Sequence, residues 1–200
     1  MVSVMTQSAS LLEAKAALRE RMRAAVRAVS PEQWVQASSA VCAHVLTLPA
    51  YRDARVVMLY HPTSRELNLR GVAEACARTG RLVCLPRANW ANGELQAARI
   101  ASWGEGLTEP KRGIREPLPE AAVVPPREID LVLVPGVSFD AVGGRVGRGA
   151  GFYDRFLRTV RAFKAGVALD EQVVEHVPMG EGDVRLDAVV TPTRVLVREA

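Results

Sequence analysis

The sequence predicts an α/β fold, a single three-layer α/β/α domain with a mainly parallel central sheet, over residues 10–200. Residues 129–136 are a short apolar run ended by proline and glycine, which is typical of a strand buried on both faces. Residues 55–85 alternate strand, helix and strand, the pattern of a βαβ unit. The chain has 200 residues and is 48% hydrophobic, enough for a full core without disulfides or structural metal.

The first half of the chain carries clear helix signals. A capping-box pattern at Ser10 predicts a first helix that runs to about Val29 and leaves residues 1–9 as a disordered or frayed terminus. Ser30 is a typical cap for a second helix, which Pro49 ends. The elements predicted next are a strand at 55–60, a helix at 67–79 closed by Gly80, and a strand at 82–85.

The second half gives weaker signals. Residues 86–128 are rich in turn residues and prolines, and we expect them to be irregular, with one strand at 95–100. The elements predicted after the core strand are a helix at 153–163, a strand at 164–169, and two short closing strands at 188–191 and 195–197.

The composition narrows the class of protein. The three cysteines form no C-x-x-C pair, and we interpret them as buried, reduced thiols of a cytoplasmic protein. The start of the chain lacks the features of a signal peptide, and no apolar run approaches the ~18 residues that a membrane span requires. The net charge of +4 comes mostly from arginine, which favours phosphate or carboxylate ligands. Because these arginines are dispersed and aromatic residues make up only 5%, we expect no nucleic-acid or membrane partner.

Residues 143–151, the glycine loop, are the most informative segment of the chain. It contains five glycines and the arginines Arg145 and Arg148, and it lies downstream of the core strand. Backbone that is open to close approach, with positive charge beside it, is suited to a phosphate-rich ligand. The loop also approximates a dinucleotide-binding fingerprint, with Asp170 as the ribose-binding acid, although the strand ends too far before it. An oxidoreductase that binds a dinucleotide is therefore the alternative.

Helical periodicity separates two basic residues of the first helix from two others. Lys15 falls inside the apolar stripe and Arg19 at its edge, whereas Arg23 and Arg27 turn toward solvent. Lys15 and Arg19 are thus candidates to bind an anion. A lysine whose stem packs on the core while its ammonium reaches water is an equally good interpretation of Lys15.

Three carboxylates are candidates for a site at the same edge of the sheet. Asp154 opens a helix and Asp183 lies in a loop, so together they could hold Mg²⁺ beside bound phosphates. Helix capping explains Asp154 as well as metal binding does. Glu66 follows the first strand and would lie near the glycine loop if the strands are parallel, or it is an ordinary solvated glutamate.

Residues 130–154 read DLVLVPGVSFDAVGGRVGRGAGFYD, and this segment closely resembles the signature of the 5-formyltetrahydrofolate cyclo-ligase family, also called methenyltetrahydrofolate synthetases. The resemblance extends to residues 15–19, Glu66, residues 113–117 and residues 168–172, and it continues through Asp183. These blocks occur in order over nearly the whole chain.

The resemblance implies an enzyme that uses Mg-ATP to convert 5-formyltetrahydrofolate into 5,10-methenyltetrahydrofolate, with release of ADP and phosphate. It implies phosphorylation of the formyl oxygen followed by attack of N10. We accordingly expect ATP and the folate as ligands, Mg²⁺ as the cofactor, and a monomer.

Residue roles follow from the same resemblance. It implies ATP contacts from the first helix and the glycine loop, substrate contacts from the loop after the first strand and from residues 152–153, and magnesium ligation by two aspartates. Arg145 and Arg148 would also act in catalysis. The expected ATP-binding residues are Lys15, Arg19, Arg145, Gly147, Arg148, Gly149, Ala150, Gly151 and Tyr153; the substrate-binding residues are Glu66, His61, Phe152 and Tyr153; and the metal ligands are Asp154 and Asp183.

The chain departs from the family pattern at two positions of this loop. The family commonly has tyrosine where this chain has Phe152, and glycine or lysine where it has Ala150. A hydroxyl or ammonium contact made at these positions is therefore missing here.

Overall fold

The computed structural model of the chain describes residues 2–110 and 113–199, with side chains described from residue 9 onward. Within this range eight strands form one sheet: β1 (Val56–Met58), β2 (Leu82–Asn89), β3 (Glu94–Ile100), β4 (Val123–Val124), β5 (Leu131–Val134), β8 (Phe163–Val167), β9 (Ala188–Val190) and β10 (Val195–Val197). Their order in the sheet is β10-β9-β8-β5-β1-β2-β3-β4. The strands from β9 to β2 are parallel neighbours, and β10, β3 and β4 add antiparallel edges. The predicted mainly parallel sheet is confirmed.

Both faces of the sheet are covered, as the apolar core strand predicts. Leu131 and Leu133 of β5 face one apolar cluster, and Val132 and Val134 face the other. Alternate residues of a strand point to opposite faces, so a strand that is apolar throughout needs cover on both sides. The helices are α1 (Val2–Arg27), α2 (Pro31–Thr47), α3 (Pro49–Asp53), α4 (Arg70–Arg78) and α5 (Phe152–Leu157). The α2 and α4 helices pack on the first face and α5 on the second, which gives three layers.

Helix boundaries agree with the predictions in part. The capping box at Ser30 is present and begins α2 as expected. The α1 helix begins at Val2 instead of at Ser10, so the expected irregular terminus and the Ser10 boundary do not match the structure. No proline or glycine interrupts residues 2–10, and a capping-type residue inside such a run does not stop a helix. The α5 helix ends at Leu157, although the sequence predicts that it continues to residue 163. Just after Leu157, the Thr159 hydroxyl donates to the Phe156 carbonyl oxygen (2.7 Å).

The segment that we expected to be irregular forms a β-hairpin. The β2 strand continues to Asn89, turns, and returns as β3, with β4 pairing beyond it. The pairing of β2 with β1 ends at the Met58–Cys84 register. Pro86 lies past that point, where a residue without an N–H is tolerated in a strand. The strand predicted at 95–100 is confirmed as β3, whereas the predicted end of the preceding strand at residue 85 is wrong, because Pro86 does not break it.

The loops that follow β1, β5 and β8 emerge at the same edge of the sheet because these strands are parallel. The loop after β5 contains a small hairpin of β6 (Ser138–Phe139) and β7 (Arg145–Val146). Asp140 directly follows β6, at the start of the turn between the two strands, and it is fully buried. Its carboxylate accepts hydrogen bonds from the N–H groups of Val142 (3.1 Å), Gly144 (2.7 Å) and Val177 (2.9 Å), which holds the start of the glycine loop.

Gly143→Ala is expected to destabilise the protein strongly. Gly143 has φ 81°, and a Cβ there would clash with the Leu186 carbonyl oxygen. Backbone strain and a clash with rigid backbone should together lower the free energy of unfolding by at least about 2 kcal/mol in urea denaturation. Gly80→Ala is the matched control, because Gly80 has φ 70° but open space around its Cβ position. An equal loss in both variants would show that the contact with Leu186 does not matter.

The remaining expectations concern cysteines and the membrane. Cys42, Cys76 and Cys84 are buried and unpaired, as predicted. Burial raises the pKa of the Cys84 thiol to about 12, so it remains a protonated core side chain.

Over the described part of the chain, no helix has the length and apolar character that crossing a membrane requires.

Candidate functional site

A cavity of about 310 Å³ opens at the carboxyl edge of the sheet. Its walls come from the first helix, the loops after β1 and β5, the β2–β3 hairpin, and residues 114–116. Open α/β sheets usually bind ligands at this edge, beyond the ends of parallel strands.

Every site residue that the family resemblance implies lines this one cavity. The structure thus brings together residues that are far apart in the chain, although their roles stay predictions. The residues concerned are Lys15, Arg19, His61, Glu66, Arg145, Gly147, Arg148, Gly149, Ala150, Gly151, Phe152, Tyr153, Asp154 and Asp183.

Arg145 is the most buried cation of the cavity. Its side chain is only 3% exposed and its Nη2 donates to the Asp154 carboxylate at 2.9 Å. Nη1 donates to the Pro135 carbonyl oxygen at 3.2 Å, and the guanidinium lies over the Tyr153 ring at 5.6 Å. Its buried Nε has no hydrogen-bond partner. A buried donor without a partner is costly unless a ligand satisfies it.

The first helix contributes two cations to the cavity, Lys15 and Arg19. The Lys15 ammonium forms an ion pair with the Asp183 carboxylate, whose Oδ2 also accepts from the Gly180 N–H at 2.6 Å. Arg19 Nε donates to the Gly147 carbonyl oxygen at 2.9 Å. Arg23 and Arg27 are exposed, as the helical periodicity predicts. Lys15 and Arg19 therefore hold the glycine loop and Asp183 from one helix face.

Arg148 closes the cavity toward the loop after β1. Its Nη2 donates to Glu66 Oε1 at 2.7 Å and to the Thr63 hydroxyl oxygen at 3.0 Å. Glu66 Oε2 in turn accepts from the Thr63 backbone N–H at 2.9 Å and from the Thr63 hydroxyl. The alternative of a solvated glutamate is thereby excluded, because the Glu66 side chain is only 15% exposed and its two oxygens are both engaged.

An aromatic wall, formed by Trp90 and Phe152, faces the cations. The two rings meet edge to face with centroids 4.8 Å apart. Arg155 lies over the Phe152 ring at 5.4 Å, and it donates to the carbonyl oxygens of Gly93 (2.9 Å) and Ala150 (3.0 Å). Sequence reasoning missed Trp90 and Arg155. A tryptophan beside a turn-type Ala-Asn-Gly sequence was the available signal, but it required recognition of the hairpin.

His61 lies at another part of the rim. Its ring stacks on Trp103 with centroids 5.5 Å apart. Burial, and secondarily the positive charge of Arg115, lower the pKa of His61. The imidazole is therefore neutral near pH 7.

The hydroxyl of Tyr153 is buried and has no hydrogen-bond partner among the described residues. Burial, and secondarily the negative charge of Glu66, raise the pKa of Tyr153. The hydroxyl therefore stays protonated over the physiological range and is a donor available to a ligand.

Within residues 2–110 and 113–199, no cluster of three or more His, Cys, Asp or Glu side chains is arranged to hold a metal ion. The two predicted metal ligands are both present in the cavity, where Asp154 pairs with Arg145 and Asp183 with Lys15. A magnesium ion bound with a nucleotide takes many of its ligands from phosphates and water, so two carboxylates are a sufficient protein contribution.

Comparison with known families identifies the chain. Residues 12–192 match the model of the 5-formyltetrahydrofolate cyclo-ligase family. The chain belongs to this family. The family assignment makes the protein a ligase of folate metabolism, and it confirms the resemblance drawn from the glycine loop.

Individual relatives of this cyclo-ligase family agree with the assignment. The 5-formyltetrahydrofolate cyclo-ligase of Escherichia coli is 32% identical over 84% of this chain and 95% of that protein. The solved structure of Aquifex aeolicus 5,10-methenyltetrahydrofolate synthetase is 31% identical, covers 93% of both chains and superposes with a TM-score of 0.81. A synthetase structure from Mycoplasma pneumoniae, at 21% identity and a TM-score of 0.73, shares the fold.

The oxidoreductase alternative is wrong. Membership of a cyclo-ligase family excludes it, and the geometry gives the reason. Residues 135–142, including β6, separate the core strand from the glycine loop, and β7 lies within the loop itself, so there is no tight strand-to-helix turn for a pyrophosphate. Asp170, the presumed ribose ligand, accepts instead from the Thr193 hydroxyl at 2.6 Å and does not line the cavity.

Arg155→Ala is expected to lower kcat/KM of the cyclo-ligase reaction by about tenfold. Arg155 ties Gly93 to Ala150, and without these bonds the cavity walls would position the ligands less well. Arg155 is exposed, so the free energy of unfolding should change little. Arg155→Lys should not restore the rate, since one ammonium cannot replace the Nε and Nη2 donors at their separate carbonyls. Arg161→Ala, at an exposed position outside the cavity, is the control. Full activity in the alanine variant of Arg155 would contradict a positioning role.

Proposed function

We propose that this chain uses ATP to close 5-formyltetrahydrofolate into 5,10-methenyltetrahydrofolate, with release of ADP and phosphate. The observation that supports this best is the composition of the cavity. Lys15, Arg19, Arg145 and Arg148 gather around the glycine loop, and the Trp90–Phe152 wall lies beside them. Such a cavity suits a polyphosphate at one end and a flat heterocycle at the other.

The chemistry follows from the poor reactivity of an N-formyl group. The formyl oxygen attacks the γ-phosphorus of ATP, the bond to ADP breaks, and a phosphorylated imidate forms. N10 then attacks the former formyl carbon, loses its proton, and phosphate leaves with the C–O bond electrons. Such a reaction depends on positioning and on neutralising phosphate charge, which accounts for a site with cations and no nucleophilic triad.

Different residues of the cavity would contribute to different parts of this reaction. Lys15, Arg19 and Arg145 would bind the phosphates with the open backbone of residues 147–151, and Arg148 would stabilise the charge being transferred. The hard carboxylate oxygens of Asp154 and Asp183 fit Mg²⁺, which would supply further neutralisation of phosphate charge when bound. Tyr153, as a buried protonated donor, would hydrogen-bond the reacting groups.

The reaction can be tested directly with the purified chain. Mixing it with Mg-ATP and 5-formyltetrahydrofolate should produce the near-ultraviolet absorbance of the methenyl product and one phosphate per product formed. Omitting ATP, or supplying a non-hydrolysable analogue, should abolish both signals. Phosphate release that does not depend on the folate, or product without phosphate, would overturn the proposal.

The proposed setting is the cytoplasm. Three buried, unpaired cysteines fit a reducing compartment, where free thiols persist. The monomeric state stays a prediction.

A further inference from the structure

Four carboxylates line the cavity, and Glu116 differs from the other three. Glu66 pairs with Arg148, Asp154 with Arg145, and Asp183 with Lys15. Glu116 forms no ion pair with any described residue. The first three carboxylates are thus neutralised by the cations around the glycine loop, whereas the fourth has no ion-pair partner within residues 2–110 and 113–199.

Glu116 is nevertheless held firmly. Its Oε1 accepts from the Ala88 N–H at 3.0 Å, which ties it to β2. Its own backbone pairs with Thr108, through the Thr108 N–H to the Glu116 carbonyl oxygen at 2.8 Å and the Glu116 N–H to the Thr108 hydroxyl oxygen at 3.3 Å. Oε2 accepts no hydrogen bond from the described residues. One carboxylate oxygen is therefore anchored and the other is available to a ligand.

Four apolar residues line the cavity together with Glu116, which bonds to one of them: Pro86 and Ala88 of β2, Leu95 of β3 and Ile114. Arg115 also lines the cavity but forms no ion pair with Glu116. Glu116 bonds to Ala88, and Trp90 of the aromatic wall lies two residues after Ala88. Glu116 is therefore near the end of the cavity that we propose to bind the heterocycle. A half-buried carboxylate among apolar groups is costly to desolvate unless a donor pairs with it.

We propose that Glu116 recognises the 2-amino-4-oxopyrimidine edge of the substrate's pterin ring, an inference that rests on the proposed function. This edge carries a ring N–H next to an exocyclic amino group, and two adjacent donors match the two oxygens of a carboxylate. Oε2 accepts one donor, and Oε1 has a second lone pair beside its bond to Ala88. Glu66 is less suited to this role because Arg148 and Thr63 already engage both of its oxygens.

Glu116→Gln tests the assignment. Glutamine keeps an oxygen that can accept from Ala88, so the wall stays anchored, but it replaces the second acceptor by a donor. We expect KM for 5-formyltetrahydrofolate to rise about 10- to 100-fold, the usual cost of a lost charge-assisted hydrogen bond. KM for ATP and the melting temperature should not change. Glu120→Gln, at an exposed position outside the cavity, should behave as the wild type.

A binding measurement separates recognition from structure. By calorimetry without ATP, a folate analogue that lacks the exocyclic amino group should bind wild type at least about tenfold more weakly than the folate itself. Glu116→Gln should bind the two compounds equally. If the variant proves unstable, the analogue comparison on the wild type decides alone.

The outcomes distinguish failure of the Glu116 assignment from failure of the proposed function. Wild-type protein that turns over the folate, with a Glu116→Gln variant of unchanged KM or an analogue bound as tightly as the folate, overturns the role of Glu116 and leaves the proposed function standing. Wild-type protein that neither binds the folate nor releases phosphate overturns both.

Discussion

Arg145→Ala is expected to reduce turnover by at least about 1000-fold, the scale of losing an arginine that stabilises phosphoryl transfer. The guanidinium is buried in the cavity with an unsatisfied Nε, so a phosphate would complete its hydrogen bonds. The measurement is the rate of methenyl product formation at saturating ATP and folate. Retention of full activity would show that the phosphates bind elsewhere.

The same variant should also lose stability. Removing Arg145 leaves the Asp154 carboxylate, 18% exposed, without its cation. Breaking such a mostly buried pair costs about 3 kcal/mol in free energy of unfolding. The double variant Arg145→Ala with Asp154→Asn should regain much of this stability, because the orphaned charge is gone. Its turnover should remain as low as that of the single variant.

This double-variant comparison separates loss of the site from loss of the fold, although it does not separate Arg145 from Asp154, which is itself an expected magnesium ligand. If lost activity merely reflected a disturbed fold, restoring stability would restore the rate. An active, stable double variant would therefore disprove the assignment of Arg145 to the phosphates.

Tyr153→Phe is expected to lower kcat by about 100-fold, the scale of losing one well-placed donor in an active site. The free energy of unfolding should stay the same or rise, since the substitution removes a buried hydroxyl that has no partner among the described residues. The aromatic ring, and with it the stacking on Arg145, is retained. The two readouts are steady-state rates and urea denaturation.

Tyr51→Phe is the matched control for this prediction. Tyr51 is also buried, but it lies in α3 and does not line the cavity. Its variant should leave the rate unchanged. A Tyr153→Phe protein with normal kcat and lowered stability would mean that the hydroxyl has a structural role.

Local sequence patterns predicted a large part of the site. Helical periodicity selected Lys15 and Arg19 over Arg23, because residues of one helix face recur with a known spacing. The glycine loop and its arginines were identified because glycine permits backbone that other residues avoid, and Gly149 and Gly151 do have positive φ.

The β2–β3 hairpin, Arg155 and Glu116 were not predicted from the sequence, for one shared physical reason. The β2–β3 hairpin went unpredicted because Pro86 is tolerated only where the neighbouring strand has ended, and that end is a property of the sheet. Arg155 and Glu116 went unnoticed because their partners, Gly93 and Ala88, lie on this hairpin.

The sequence by itself determined the core strand, the capping of α2 at Ser30 and the family, and it selected the residues that we expect to bind an anion. Only the tertiary structure decided which of them pair: Lys15 with Asp183 across 168 positions, and Arg148 with Glu66 across 82. Periodicity and turn chemistry act between near neighbours of the chain, whereas these pairs form because parallel strands deliver distant loops to one edge of the sheet.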